Sequence, residues 1–332
     1  MFSSYRFCVA PMMEWTDRHC RVFHRLMTRQ ARLYTEMLTT GAILHGDRQR
    51  LLGFSTQEQP LALQLGGSNP AELAEAAQIG EGFGYSEINL NIGCPSDRVQ
   101  NGRFGACLMA EPKLVADFVV AMKRTVKIPV TVKCRIGIDE QDIEQPLDDF
   151  VQGVVDAGTD ALIVHARKAW LNGLSPKDNR TIPPLNYERV YRLKQKFPQL
   201  PIIINGGIAT IEEAQQHLQC VDGVMMGRAA YHEPHRLLQV DPVLFETQAP
   251  LETAFDVAHA IEPYIAEQLA QGTRLHNMTR HMLMLFQGRP NGRQFRRILA
   301  EEAVKPGANL DVWRKAVAAV ADAASRFENV AA

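Results

Sequence analysis

The stretch IIINGGIATIEEAQQHLQCVDGVMMGR, residues 202–228, holds one complete turn of the pattern that decides the fold. IIIN is a short β-branched run and reads as a strand; Thr210 caps the helical segment IEEAQQHL; GVMMG is the next strand. Working outward, runs of the same kind start at residues 7 (FCVA), 32 (RLYTEM), 61 (LALQL), 87 (EINLN), 130 (VTVKCRI) and 161 (ALIVHA). Helical segments lie between them: Asn69 and Pro70 open AELAEAAQI, and Pro112 opens KLVADFVVAMKRTV. Eight strands alternating with helices predict an α/β protein built on a closed parallel (β/α)8 TIM barrel. An open doubly wound sheet has the same local pattern.

The 332 residues exceed what a barrel of roughly 240 residues needs, so a smaller second domain is expected. Strand signals stop after Pro234, and from Leu251 apolar residues recur with helical spacing. The expected division is a barrel over 1–240, a linker DPVLFETQAP over 241–250, and a C-terminal helical bundle over 251–332. With 46% hydrophobic and 22% charged residues, and no apolar run approaching the roughly 18 that cross a bilayer, a membrane protein is not expected. The start, MFSSYRFCVAPMM, runs straight into a strand without an export signal. Six scattered cysteines lack C-x-x-C or zinc spacing, so neither disulfides nor a metal are expected, and a reducing cytoplasm fits. A monomer is the expected state.

Barrel enzymes take their reacting groups from the C-terminal ends of the strands. Here those ends read Met12-Met13, Glu36, Gln64, Asn89-Leu90-Asn91, Lys133-Cys134-Arg135, His165-Ala166-Arg167, Asn205-Gly206-Gly207 and Gly227-Arg228. Asn89 and Asn91, Lys133 and Arg135, and His165 and Arg167 are each two apart, which puts each pair on one strand face, the face expected to line the mouth. Taken singly, Lys133 and Arg135 read more readily as rim ion pairs and His165 as a hydrogen-bonded core histidine. Together they are costly to bury without a polar or anionic ligand. Glycine turns after the last two strands, with an arginine beside the second, mark the usual phosphate place of barrels.

The most specific segment is NLNIGCPSDRVQNGRFGACLM, residues 89–109. With APM at 10–12, VKCRIG at 132–137, HARKAW at 165–170, INGGI at 204–208 and GR at 227–228, it closely resembles the tRNA-dihydrouridine synthases. EWTDRHCR (14–21), LYTEMLTTGAI (33–43), HARKAWLNGLSPKDNR (165–180) and TRHMLMLFQG (279–288) are similar to the A-type bacterial subfamily, which modifies uridines 20 and 20a of the D loop. The resemblance covers essentially the whole chain. It implies an oxidoreductase that uses FMN, with NADPH as reductant, to reduce the C5=C6 bond of uridine in tRNA. It also implies FMN contacts from Pro11, Met12, Met13, Gln64, Lys133, His165, Asn205, Gly206, Gly207, Gly227 and Arg228, with Cys94 as proton donor. The residues expected to bind tRNA are Asn91, Lys177, Arg180, Arg293 and Arg296.

The chemistry suits a thiol. Adding hydride at uridine C6 leaves electron density at C5, and a neutral cysteine can protonate that carbon. RNA binding has its own signal, because Thr273 to Ala300 carries six arginines, two histidines and no acidic residue in a chain of net charge −1. Two other readings stay open: an FMN barrel acting on a small pyrimidine, and a non-catalytic RNA-binding flavoprotein. The basic C-terminal segment argues against the first, and intact Cys94, Lys133, His165 and Arg228 against the second.

Overall fold

A computed structural model describes residues 3–331; Met1, Phe2 and Ala332, at the outer ends of the two expected domains, lie outside the described residues. Eight strands form one sheet: β1 (Phe7–Val9), β2 (Leu33–Thr39), β3 (Leu61–Gly66), β4 (Glu87–Ile92), β5 (Val130–Arg135), β6 (Ala161–His165), β7 (Ile202–Asn205) and β8 (Gly223–Met226). All are parallel, in the order β1-β8-β7-β6-β5-β4-β3-β2. The ring closes through Arg32, whose N–H donates to the Phe7 carbonyl at 3.0 Å and whose carbonyl accepts from the Val9 N–H at 2.9 Å. Closure excludes the open doubly wound sheet.

Strand parity sorts the side chains into two cores. Ile88, Leu90, Ile92, Val132, Leu162 and Val164 are all fully buried and point outward to the helices. The opposite parity fills the barrel with Cys8, Tyr34, Ala62, Ala161, Ile163, Ile203 and Met225, and with the polar Glu87, Asn89 and Thr131. The covering helices begin where the sequence places them. Asn69 accepts from the N–H groups of Ala71 and Glu72 to open helix Pro70–Phe83, and Thr210 with Glu213 forms a capping box for helix Ile211–His217.

The chain forms two compact units, one of residues up to Glu14 and Ala31–Gly227, the other of Trp15–Gln30 and Arg228 onward. This differs from the expected division at 240 and 251. The break follows β8 directly, and the connection between β1 and β2 contributes helix Arg18–Arg25 to the second unit. Nor is 241–250 a free linker: Val240–Leu244 is helical. Buried Asp241 accepts from Thr28 Oγ1 and from the N–H groups of Arg29 and Gln30 at 2.5, 2.7 and 3.2 Å.

The second unit has its own core. Phe255, Phe286, Phe295 and Trp313 touch in series with ring centroids 4.8, 5.0 and 5.6 Å apart. The Trp313 indole N–H donates to the Ala258 carbonyl at 2.9 Å. Asp17 caps helix Arg18–Arg25 and pairs with Arg280 and His281. Among the described residues, no helix is long and apolar enough to cross a membrane.

Candidate active site at the barrel mouth

The Gly93-Cys94-Pro95 turn follows β4 and is shaped by the strand's last inward side chain. Asn91 Oδ1 accepts from the N–H groups of Gly93 and Cys94 at 3.1 and 3.0 Å, an Asx turn that exposes the thiol instead of continuing the strand. The loop then doubles back, and the Ala106 N–H donates to the Cys94 carbonyl at 2.9 Å. Gly105 permits this approach: its φ is +75°, and a Cβ there would lie 2.6 Å from the Cys94 carbonyl oxygen. The Cys94 thiol is half-buried, with Ser96 Oγ at 3.5 Å.

Lys133, on the neighbouring strand, donates from Nζ to Asn205 Oδ1 at 3.0 Å, and Asn205 Nδ2 donates to the Met225 carbonyl at 2.8 Å. Two expected cofactor residues, on β5 and β7, are thus tied together. The glycine pair Gly206-Gly207 has φ of +115° and +75°. A Cβ on Gly206 would meet the His165 ring at 2.5 Å, and one on Gly207 would meet Leu185 at 2.7 Å. Tyr187 OH donates to the Gly206 carbonyl at 2.7 Å. The turn therefore requires glycine for both backbone conformation and space. Gln64 is buried and holds Asn91, donating its own Nε2 to Asn89.

Pro11 and buried Met12 follow β1, and the Met13 side chain is 56% exposed. Gly227 follows β8, and Arg228 starts helix Arg228–His232 of the second unit. Asn89 is a correction: expected at the mouth, it is fully buried inside the barrel, one inward layer below Asn91.

Lys177 and Arg180 are exposed beside the 3₁₀ turn Asp178–Arg180. Their loop is held by Asn179, fully buried, which accepts from the Trp170 N–H at 2.7 Å and donates to the carbonyls of Trp170 and Leu174. Arg293, exposed, and Arg296, whose Nη1 donates to Gln287 at 2.9 Å, lie in helix Gly292–Glu302 of the second unit. There Arg289, Arg293 and Arg297 line a surface groove of about 450 Å³.

Sequence reasoning placed Arg135 on the mouth-lining face without naming its partners, and gave Gln100 no role. Arg135 is buried and donates to the carbonyls of Gly93, Lys168 and Asn179 at 2.9, 2.9 and 3.0 Å, so one guanidinium braces the cysteine turn and the loop bearing Lys177 and Arg180. Gln100 Nε2 bridges the carbonyls of Pro95 and Leu171. The spacing of Arg135 from Lys133 showed that it points inward. Its backbone partners come from segments distant in sequence and leave no pattern there.

Burial, with Arg135's like charge adding to it, pushes the Lys133 ammonium down to about 8. Since the free side chain titrates near 10.4, the unfolded chain binds more protons between these values, and stability rises with pH across that window. The limiting slope is about 1.4 kcal/mol per pH unit, and below pH 8 the full cost of the half-buried charge is present. Lys133→Met should therefore melt higher than wild type at pH 7 without ligand, and the gap should close as pH rises toward 10. Paired thermal melts across that range check this; a constant gap would remove that charge as its cause.

A closed barrel whose mouth gathers a lysine, amide side chains, a glycine turn and a half-buried thiol has the form of an enzyme active site. The chain belongs to the dihydrouridine synthase family, whose model matches residues 8–322. Curated relatives named tRNA-dihydrouridine(20/20a) synthase include one from Xanthomonas campestris pv. campestris, 57% identical over 98% of this chain and 96% of its own. Others come from Vibrio parahaemolyticus, 58% identical over 96% and 98%, and from Escherichia coli O6:H1, 56% identical over 97% of each chain. Among solved structures, a 2-naphthoyl-CoA reductase complex shares the fold with TM-score 0.54 at 10% identity, covering 71% of this chain and 49% of that one. Membership makes the protein an oxidoreductase of the flavin-dependent kind.

Proposed function

We propose that the protein reduces the C5=C6 bond of uridine to 5,6-dihydrouridine at positions 20 and 20a of the tRNA D loop, using FMN and NADPH. The observation that carries this reading is the Cys94 turn: a half-buried thiol held by Asn91 on the strand next to Lys133. The relatives' shared name supplies the substrate.

The donor set suits FMN. Lys133 spends one N–H on Asn205 and, as an ammonium, has two more to offer an electron-rich ring edge. Gln64 belongs to the amide cluster that holds Asn91. The left-handed Gly206-Gly207 turn lets a backbone approach a ligand closely, and Gly227 with Arg228 after it fits a phosphate. Pro11, Met12, Met13 and His165 complete the set that would hold the cofactor. FMN held there would supply hydride chemistry toward C6, with NADPH as the reductant.

The protein's own part is proton delivery and positioning. Cys94 holds a proton on Sγ and releases it to C5, and solvent reprotonates the sulfur. Asn91 spends its carbonyl oxygen on the turn and one N–H on Gln64, leaving one N–H for the base. A uridine stacked in folded tRNA must leave its stack to reach the mouth. Lys177 and Arg180 on the barrel unit, and Arg293 and Arg296 on the helical unit, hold the phosphate backbone.

Two results test the reading. Protein purified under native conditions should carry a yellow chromophore that mass spectrometry of the released ligand identifies as FMN. Nucleoside mapping of tRNA from cells lacking the gene should find uridine where dihydrouridine stood at 20 and 20a. A colourless protein that acquires no FMN on titration, or unchanged dihydrouridine at both positions, would overturn it.

A further inference from the structure

Inside the barrel, below the mouth, runs a chain of hydrogen bonds that the reaction as derived does not use. Its direction can be assigned from one end. Two backbone N–H groups, those of Gly93 and Cys94, point at one atom of Asn91, so that atom is the carbonyl oxygen. Asn91 Nδ2 must then donate to Gln64 Oε1, at 2.9 Å. Gln64 Nε2 in turn donates to Asn89 Oδ1, at 2.8 Å, and Asn89 Nδ2 to Thr131 Oγ1, at 2.8 Å. That leaves the Thr131 hydroxyl proton for Glu87 Oε1, at 2.5 Å. Every link donates toward the carboxylate, and no link can turn round without placing two donors face to face.

The far end has a matching anchor. Glu87 Oε1 also accepts from Tyr34 OH at 3.0 Å, and Oε2 lies 3.2 Å from Arg32 Nη1. Glu87 Oε1 accepts from both the Thr131 and Tyr34 hydroxyls, so it can serve as the sink on which a one-way chain ends. Glu87, Thr131 and Asn89 are fully buried, and Gln64 is 1% exposed. A fully buried ion pair is weak evidence of stabilisation, because desolvation offsets much of its attraction. Orientation is what this one provides.

We propose that Glu87, Thr131 and Asn89 are positioning residues of the uridine-reducing site, acting through a one-way hydrogen-bond chain that orients the Gln64 and Asn91 amides and so sets the Cys94 turn. The proposal rests on the reading of Cys94 and Gln64 given above. Gln64 then presents a defined face of its amide to the mouth, and Asn91 keeps its oxygen on the turn, because a carboxylate at the foot of the chain leaves neither amide an alternative. None of the three touches the reacting atoms.

Thr131→Val tests this, since it keeps the side-chain shape and removes only the hydroxyl that joins Asn89 to Glu87. Thr131→Ser restores the hydroxyl. Tyr34→Phe removes the other hydroxyl on the same carboxylate oxygen, outside the chain. In ligand-free protein with ¹⁵N-labelled glycine and cysteine, valine should shift the Gly93 and Cys94 amide resonances and speed their exchange, while serine and Tyr34→Phe leave them near wild type. In single turnovers of reduced holoenzyme with tRNA, valine should slow uridine reduction about tenfold at unchanged tRNA affinity, and serine should recover the rate. If valine prevents folding, Asn89→Leu breaks the chain one link further on and takes its place.

Unmoved amides, an unchanged rate, or equal effects from Tyr34→Phe would each overturn the proposal. Failure of the underlying functional reading looks different: the wild-type holoenzyme itself would not reduce uridine, while the amide shifts of the valine variant persist.

Discussion

Reduced Cys94→Ala enzyme mixed anaerobically with unmodified tRNA should reoxidise roughly 10²–10⁴-fold more slowly than wild type, the usual loss when a general acid is removed. The structure indicates that little else will change. The turn is held through main-chain groups that alanine keeps: the residue 94 N–H to Asn91 Oδ1, and the residue 94 carbonyl to the Ala106 N–H. The side-chain partner given up is Ser96 Oγ, at 3.5 Å. FMN content, reduction by NADPH and tRNA affinity should stay near wild type. Following flavin absorbance through one turnover isolates the affected step, and a variant that reoxidises at the wild-type rate would show that Cys94 is not the acid.

Replacing Arg293 and Arg296 together with alanine should weaken tRNA binding and flatten its salt dependence by about one unit of slope for each phosphate no longer neutralised. Arg293 is exposed and Arg296 half-buried on helix Gly292–Glu302, and neither belongs to its buried set of Phe295, Ile298 and Leu299. Their removal should cost little stability, as surface substitutions usually do. Flavin reduction by NADPH should continue, because it needs no RNA. Filter binding across a salt series measures the slope; an unaltered slope and affinity would mean that the RNA lies on another surface.

The strands were legible because a parallel barrel buries both faces, which forces short β-branched runs such as IIIN at 202–205 and ALIVH at 161–165. The mouth was legible because polar residues two apart share a face, as Lys133 and Arg135 do. Depth was not: Asn89 and Asn91 look alike in sequence, yet one is fully buried and the other reaches the turn. Long-range ties were equally silent. Nothing local in Trp15–Gln30 says that this connection joins the second unit, or that Asp241 would cap its backbone. Arg135 binds three carbonyls spread from Gly93 to Asn179, and carbonyl partners carry no residue signature.

The central claim, that this protein reduces specified uridines of tRNA, has a direct test. Purified holoenzyme is incubated with NADPH and an unmodified tRNA transcript carrying uridine at 20 and 20a, and the product is digested and mapped by mass. The account predicts a gain of two hydrogens at positions 20 and 20a and at no other uridine, with none in the absence of NADPH. Full flavin turnover with both uridines unchanged, or reduction only at other positions, would contradict it.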